Sequence, residues 1–167
     1  ARARREVYEY PGALPAVYPA AWDEDLKRRD FTINTLAIPL LKEGWGEVID
    51  LLGGVEDLHN RFIRILYENS FRDDPTRLLR AVRFKNRLNF RFENRTLACL
   101  RRDWDYLHRV SPARRFKEWQ LICEEKETGD ILDDIYHLGG WGAILCDVPY
   151  QPGINHRLAA LPVPRGP

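Results

Sequence analysis

The sequence predicts an α+β protein in which a small mixed part precedes an all-helical part, and three observations carry that prediction. Proline, glycine and β-forming residues crowd the first third of the chain, where no long helical period survives. From Ser70 onward, two cap-plus-proline pairs, Asp74-Pro75 and Ser111-Pro112, announce helices. Hydrophobic residues make up 44% of the 167 positions and charged residues 31%, which supplies a core and excludes a disordered chain. No apolar run approaches the roughly 18 residues that a membrane span needs.

Residues 1–9 mix basic residues with β-formers and read as a strand. Pro11, Gly12 and Pro15 then impose a loop. Between Trp22 and Ile38 the pattern is helical, with Leu26, Ile33, Leu36 and Ala37 turned inward. Ile38-Pro-Leu-Leu and Glu47-Val-Ile-Asp-Leu-Leu flank Gly44-Trp-Gly46, the expected turn of a β-hairpin, with Pro39 at a strand start or on an edge. A short helix is expected through Val55, Leu58 and Phe62, and Ile63-Arg-Ile-Leu is too short to classify. The helix opened by Asp74 breaks at Asn89. Ser111-Pro112 opens another, expected to reach about Lys126 and to end near Gly129. A last helix begins over Asp130 to His137, closed by Gly139-Gly140, and the tail after residue 150 is expected to be disordered.

The formal net charge of +1 hides a strong asymmetry. Residues 61–117 carry 16 Lys and Arg against 6 Asp and Glu, while the segments on either side are acidic. A basic middle of this kind points to a polyanionic partner. The three cysteines, Cys99, Cys123 and Cys146, are too widely spaced for a C-x-x-C site and read as buried thiols of a reducing, cytoplasmic setting. The chain has no methionine, so an initiator was removed or the sequence is a piece of something longer. Four isolated histidines, none followed by Asp, argue against a His-Asp phosphohydrolase, and no G-x-x-x-x-G-K-[ST] loop is present. Asp103-Trp-Asp105 has a D-x-D spelling but falls in a basic helical stretch, where the two carboxylates do not share a face, so no metal site is assigned to it.

Chemistry concentrates on the helix that follows Asp74. At ~100° per residue, Arg77, Arg80, Arg83 and Arg87 fall within one arc about 120° wide. Such a stripe repels itself by a few tenths of a kcal/mol per neighbouring pair. It reads either as a solvated face with scattered carboxylate partners or, given the basic middle, as a set of phosphate contacts. Asp74 stands three residues before Arg77, so both side chains leave one side of the first turn. One reading is an N-cap aspartate with a local ion pair. The other places an acceptor beside a donor, which complements the amino group and ring nitrogen on the Watson–Crick edge of cytosine or adenine; uracil and guanine invert that pattern.

Lys27-Arg28-Arg29-Asp30-Phe-Thr-Ile-Asn34 forms the second constellation. Its cations suit a triphosphate, Asp30 suits a ribose hydroxyl, and Asn34 reaches the same place if the stretch is helical. The plainer alternative is a capped helix start with surface cations.

These segments resemble a known family. Asp25-Leu-Lys-Arg-Arg-Asp30-Phe-Thr-Ile-Asn34-Thr-Leu-Ala37 is similar to the second motif of class II (bacterial-type) tRNA nucleotidyltransferases and poly(A) polymerases. Gly46-Glu-Val-Ile-Asp-Leu-Leu-Gly-Gly-Val-Glu-Asp-Leu58 resembles the hinge that follows, and Ser70-Phe-Arg-Asp-Asp74-Pro-Thr-Arg77-Leu-Leu-Arg80-Ala-Val-Arg83-Phe84 resembles the base-selecting motif. The likeness is dense from about residue 22 to 96 and thinner through Val110-Ser-Pro-Ala-Arg-Arg115 to Leu138–Asp147.

The resemblance implies a partial nucleotidyltransferase palm over residues 1–52, a helical neck with the base-recognition motif over 53–115, and the start of a helical body over 116–167. It implies template-independent addition of C and/or A to the 3′ end of tRNA from CTP and/or ATP. Asp74 and Arg77 would select the base, Arg28, Arg29, Asp30, Asn34 and Arg80 would bind the nucleotide, and Arg83 and Arg87 would meet RNA phosphates. Mg²⁺ ions would sit on a D-x-D pair expected upstream of residue 1, so this stretch alone is expected to bind nucleotide poorly and not to catalyse. A poly(A) polymerase and a non-catalytic RNA-binding module are the rival readings.

Overall fold

The computed structural model describes residues 3–145, 147–151 and 153. Its first element, β1 (Arg4–Val7), pairs antiparallel with β2 (Ala16–Pro19), Arg4 opposite Pro19 and Val7 opposite Ala16. The strand expected over residues 1–9 is thus half of a ribbon whose second strand carries no signal beyond Val17 and Tyr18. Between the strands, Gly12 has φ +81° and its N–H donates to the Arg72 carbonyl at 3.1 Å. A Cβ there would lie 2.9 Å from Cβ of Arg109, so the loop lies tightly on the helical part.

The helix expected from Trp22 to Ile38 is a correction. Helix α1 covers only Trp22–Lys27, and a separate 3-10 turn covers Thr32–Asn34. Between them Phe31 extends (φ −130°, ψ 152°) to bridge Ile65, and its ring is fully buried. Burial of this ring in the shared core, which sequence period does not register, outweighs continuation of the helix. Strands β3 (Leu40–Leu41) and β4 (Gly44–Trp45) form a hairpin in the expected region, but its turn is Lys42-Glu43 rather than Gly44-Trp-Gly46, and of the expected return strand over Glu47 to Leu52 only Ile49 pairs, in a bridge to Ala37. Gly44, at φ +130°, is the first residue of the returning strand.

Helix α2 (Gly54–Asn60) ends with Arg61 in the left-handed region, and the chain enters β5 (Phe62–Ile63). Helix α3 (Ser70–Asp73) and helix α4 (Thr76–Leu88) then carry it over to β6 (Arg91–Phe92), which runs parallel to β5. At the start of α4 the expected signal holds. Asp74 is extended, Pro75 is already helical, and Oδ1 of Asp74 accepts from the Thr76 N–H at 3.1 Å and its hydroxyl at 2.6 Å. Asn89 closes α4 in the left-handed conformation.

The remainder is helical. Helix α5 (Asn94–Asp103) leads into a 3-10 turn over Trp104–Arg109, followed by α6 (Pro112–Cys123), α7 (Thr128–His137) and α8 (Trp141–Ile144). Helix α6 stops short of Lys126, and Gly129, expected to end it, lies inside α7. The expected tail falls almost entirely outside the described residues, as does Cys146.

One core joins the parts. Helix α4 packs on α6, α7 and β5, and buries Leu78, Leu79, Ala81 and Val82 against Phe71, Leu100, Leu107, Ile122, Ile131 and Ile135. Phe31 and Ile63 from the mixed part enter the same cluster. Each of these large side chains contributes on the order of 1.5–3 kcal/mol through removal from water. Among the described residues no helix is long and apolar enough to cross a membrane.

Candidate functional site

The other face of α4 lines a cleft of about 510 Å³, walled by Glu6, Arg28, Arg29, Asp30, Asn34, Asp74, Arg77, Arg80 and Phe84. All seven residues expected to bind nucleotide therefore meet in one place, although they come from two segments at least forty positions apart. The cause is the turn after α1, which lies across the first half of α4.

Asp30 and Arg80 form the junction. Oδ2 of Asp30 accepts from Nε of Arg80 at 2.9 Å and Nη2 at 2.6 Å, while Oδ1 accepts from the Phe31 N–H at 2.9 Å and Nδ2 of Asn34 at 2.8 Å. Asn34 reaches Asp30 through the 3-10 turn rather than a helix. Burial pushes the Asp30 carboxyl up, but Arg80, Asn34 and the Phe31 N–H outweigh it and hold the group below its ordinary range. With two hydrogen bonds on each oxygen, Asp30 has little acceptor capacity left for a ribose hydroxyl.

Arg77 is nearly buried. Its Nη1 donates to Oγ of Ser70 at 2.8 Å and to the Tyr67 hydroxyl at 3.3 Å, and its Nη2 donates to the Arg28 carbonyl at 2.7 Å. Asp74 does not bond to Arg77; its Oδ1 pairs with Nη2 of Arg114, from α6, at 2.8 Å. The local ion pair expected within the first turn is thus replaced by a partner 40 positions away. Oδ2 of Asp74 and Nε of Arg77 have no hydrogen-bond partner among the described residues, so an acceptor and a donor remain available on this wall.

Arg28 and Arg29 are held by acids of the mixed part. Arg28 donates to Oδ1 of Asp25 at 2.8 and 3.0 Å and to Oε1 of Glu6 at 2.9 Å, and Arg29 donates to the Asn34 carbonyl at 2.9 Å. Oε2 of Glu6 accepts from the Tyr8 hydroxyl at 2.9 Å. Burial, the largest influence on it, raises the Tyr8 phenol well above its ordinary range.

Arg83 and Arg87 lie outside the cleft. Arg83 is buried between Glu118 at 3.5 Å and Glu125 at 3.6 Å, and Arg87 is paired with Glu125. Carboxylates are scarce near them in sequence, but Glu118 on α6 and Glu125 just beyond its end supply them from the acidic segment that follows. The expected phosphate role does not fit Arg83, whose guanidinium is enclosed. Burial pushes the Glu118 carboxyl up despite its arginine neighbours and pulls Arg83 down.

Sequence reasoning alone does not single out Phe84, whose ring lies under Arg80, Arg83 and Arg87 at 5.3, 5.4 and 5.7 Å. Helical spacing from Arg80 and Arg87 is a signal that finds it. No local signal finds Tyr67, Ser70 or Arg114. Asp103 is a structural acid, fully buried and paired with Arg72 and Arg102. Among the described residues no group of three or more His, Cys, Asp or Glu is placed to hold a metal. Glu6, the remaining acid in the cleft, is already committed to Arg28 and Tyr8. The described residues do not fit a two-metal centre.

Residues 1–64 match the Poly A polymerase head domain family. The chain is 44% identical over 147 residues to the A-adding tRNA nucleotidyltransferase of Halalkalibacterium halodurans, covering 86% of this chain and 34% of that enzyme. It superposes on a CCA-adding enzyme in an apo form with a TM-score of 0.87 at 36% identity, covering 95% of this chain and 38% of the other. A tRNA nucleotidyltransferase complexed with a primer tRNA and an incoming ATP analog superposes with a TM-score of 0.79 at 35% identity, covering 86% and 43%. The chain spans about a third, or less, of the length of the curated relatives it matches.

Fold and cleft together define a segment of nucleotidyltransferase palm joined to a helical body. The chain belongs to the tRNA nucleotidyltransferase and poly(A) polymerase family.

Proposed function

We propose that this chain is the nucleotide-selecting part of a cytoplasmic enzyme that adds C and/or A to the 3′ end of tRNA from CTP and/or ATP. The observation that carries the reading is the convergence of Asp74 and Arg77 with Arg28, Arg29, Asn34 and Arg80 on one cleft of nucleotide size. Oδ2 of Asp74 accepts from the amino group of C or A, and Arg77 donates to the adjacent ring nitrogen. Uracil or guanine in that place leaves buried groups unpaired, at ~1–3 kcal/mol each. Arg80, aimed by Asp30 and backed by Phe84, meets the phosphates together with Arg29. In this reading Mg²⁺ is the divalent ion, held by carboxylates that the described residues do not supply.

The test uses the full-length protein that carries this chain, with tRNA transcripts lacking C, CC or CCA ends. Asp74→Ala and Arg77→Ala are expected to lower use of CTP and ATP by at least tenfold while tRNA affinity stays within about twofold. Unchanged nucleotide selection in both variants would falsify the assignment. Salt-sensitive RNA binding indifferent to nucleotide identity points instead to an RNA-binding module.

The match to the Poly A polymerase head domain favours one second reading, a poly(A) polymerase. Extension of any RNA by a long A tail, without preference for tRNA, distinguishes it.

A further inference from the structure

Arg77 has five N–H donors in one rigid plane, and three hydrogen bonds tie its two terminal nitrogens to Ser70, Tyr67 and the Arg28 carbonyl. Nε lies on one edge of the guanidinium together with one N–H of Nη2, and Nε has no partner among the described residues. The rotation of the plane decides whether that edge, or a terminal one, faces the cleft.

Two of the three restraints come from side chains that do not line the cleft. Ser70 is fully buried at the start of α3. Tyr67 precedes that helix, and its hydroxyl accepts from Nη1 of Arg77 at 3.3 Å. Burial, the largest influence, raises its phenol, so the hydroxyl keeps its proton and can accept and donate at once.

We propose that Ser70 and Tyr67 are positioning residues for base selection: they hold the Arg77 guanidinium in the single rotation that presents its Nε edge beside Oδ2 of Asp74. Ser70 fixes the terminal nitrogen against the neck. Tyr67 meets the same nitrogen from the segment that precedes α3, so two side chains outside the cleft hold Nη1. Without them the guanidinium turns about its last side-chain bonds and offers donors to either base pattern. The inference rests on the base-reading assignment of Asp74 and Arg77.

The experiment measures single-nucleotide incorporation by the full-length protein in Tyr67→Phe, Ser70→Ala and Asp74→Ala, with cognate and non-cognate nucleotides. Tyr67→Phe and Ser70→Ala are expected to raise KM for the cognate nucleotide about tenfold, with kcat within about threefold. The preference for A over G, or C over U, should fall about tenfold, at unchanged tRNA affinity. A purely structural role would lower active protein and kcat without moving that preference. If Ser70→Ala fails to fold, Tyr67→Phe, which keeps the ring, decides alone. Wild-type KM and preference in Tyr67→Phe, beside an altered preference in Asp74→Ala, overturn the proposal. Wild-type preference in Asp74→Ala as well overturns the base-reading assignment on which it rests.

Discussion

Asp30 and Arg80, 50 positions apart, are joined by two hydrogen bonds at 2.6 and 2.9 Å, and this pair fastens the turn after α1 to the arginine face of α4. Only Arg80 is appreciably solvated, at 31% of its side chain against 9% for Asp30. Removal of the arginine therefore strands a largely buried carboxylate.

Arg80→Ala is expected to lower stability at pH 7 by about 2 kcal/mol, a buried-pair loss discounted for the exposed arginine. The Asp30 carboxyl is held low in the folded state. Its contribution is thus fully present above the unfolded value of about 3.9 and is lost as pH falls through the lower folded value. Urea melts of wild type and variant should differ at pH 7 and converge as the pH falls below the lowered Asp30 value. A constant gap across that range means that the pair is not the source.

Asp74 both caps α4 and faces the cleft, and substitution to Asn separates the two roles. Asparagine keeps an oxygen for the Thr76 N–H, so Asp74→Asn should cost less than about 1 kcal/mol, whereas Asp74→Ala should cost about 1 kcal/mol or more. Both should lose preference for C and A. Thermal melts and nucleotide selectivity, measured side by side, check this; selectivity that tracks stability counts against a role in reading.

Arg83 sits between Glu118 and Glu125 with 5% of its side chain exposed. Arg83→Ala should destabilise by about 2–4 kcal/mol through two stranded carboxylates, yet leave tRNA affinity of the folded protein nearly unchanged. Arg87, with 46% exposed, should cost under about 1 kcal/mol on the same substitution. Binding isotherms at two salt concentrations check it. A smaller salt slope in Arg83→Ala restores the phosphate role.

Gly54 opens α2 where any side chain would run into the Thr32 carbonyl oxygen and lie 3.0 Å from Cδ2 of Leu36. Gly54→Ala should cost about 1–3 kcal/mol and displace the 3-10 turn that carries Asn34. Weaker nucleotide binding should accompany the lower melting temperature. Wild-type stability would mean that α2 shifts freely, against the close packing seen here.

Much of the site is legible in local chemistry. The Asp74 cap, the Arg77 to Arg87 stripe and the break at Asn89 follow from cap preferences and from spacings of three or four residues, whereas Asn34 reaches Asp30 without the helix that its spacing assumed. The Trp22–Ile38 stretch is misread for a reason that lies elsewhere in the chain. Phe31 bridges Ile65 and enters a core built mainly by α4 to α7, and no helical period encodes a partner 34 positions away. The same holds for β2, whose exposed residues gain definition only opposite β1.

By itself the sequence determined the acidic and cationic residue types that line the cleft and the helix that displays them, since propensity, capping and charge act over a single turn. Tertiary structure alone decided which of those charges stay available. Packing of α6 on α4 enclosed Arg83 between two glutamates and gave Asp74 the distant Arg114 as its partner, while Arg77 was turned toward Ser70, Tyr67 and the Arg28 carbonyl. The reason is range: a buried charge takes whichever opposite charge or hydrogen-bonding group the fold sets within about 4 Å, and chain distance has no part in that choice.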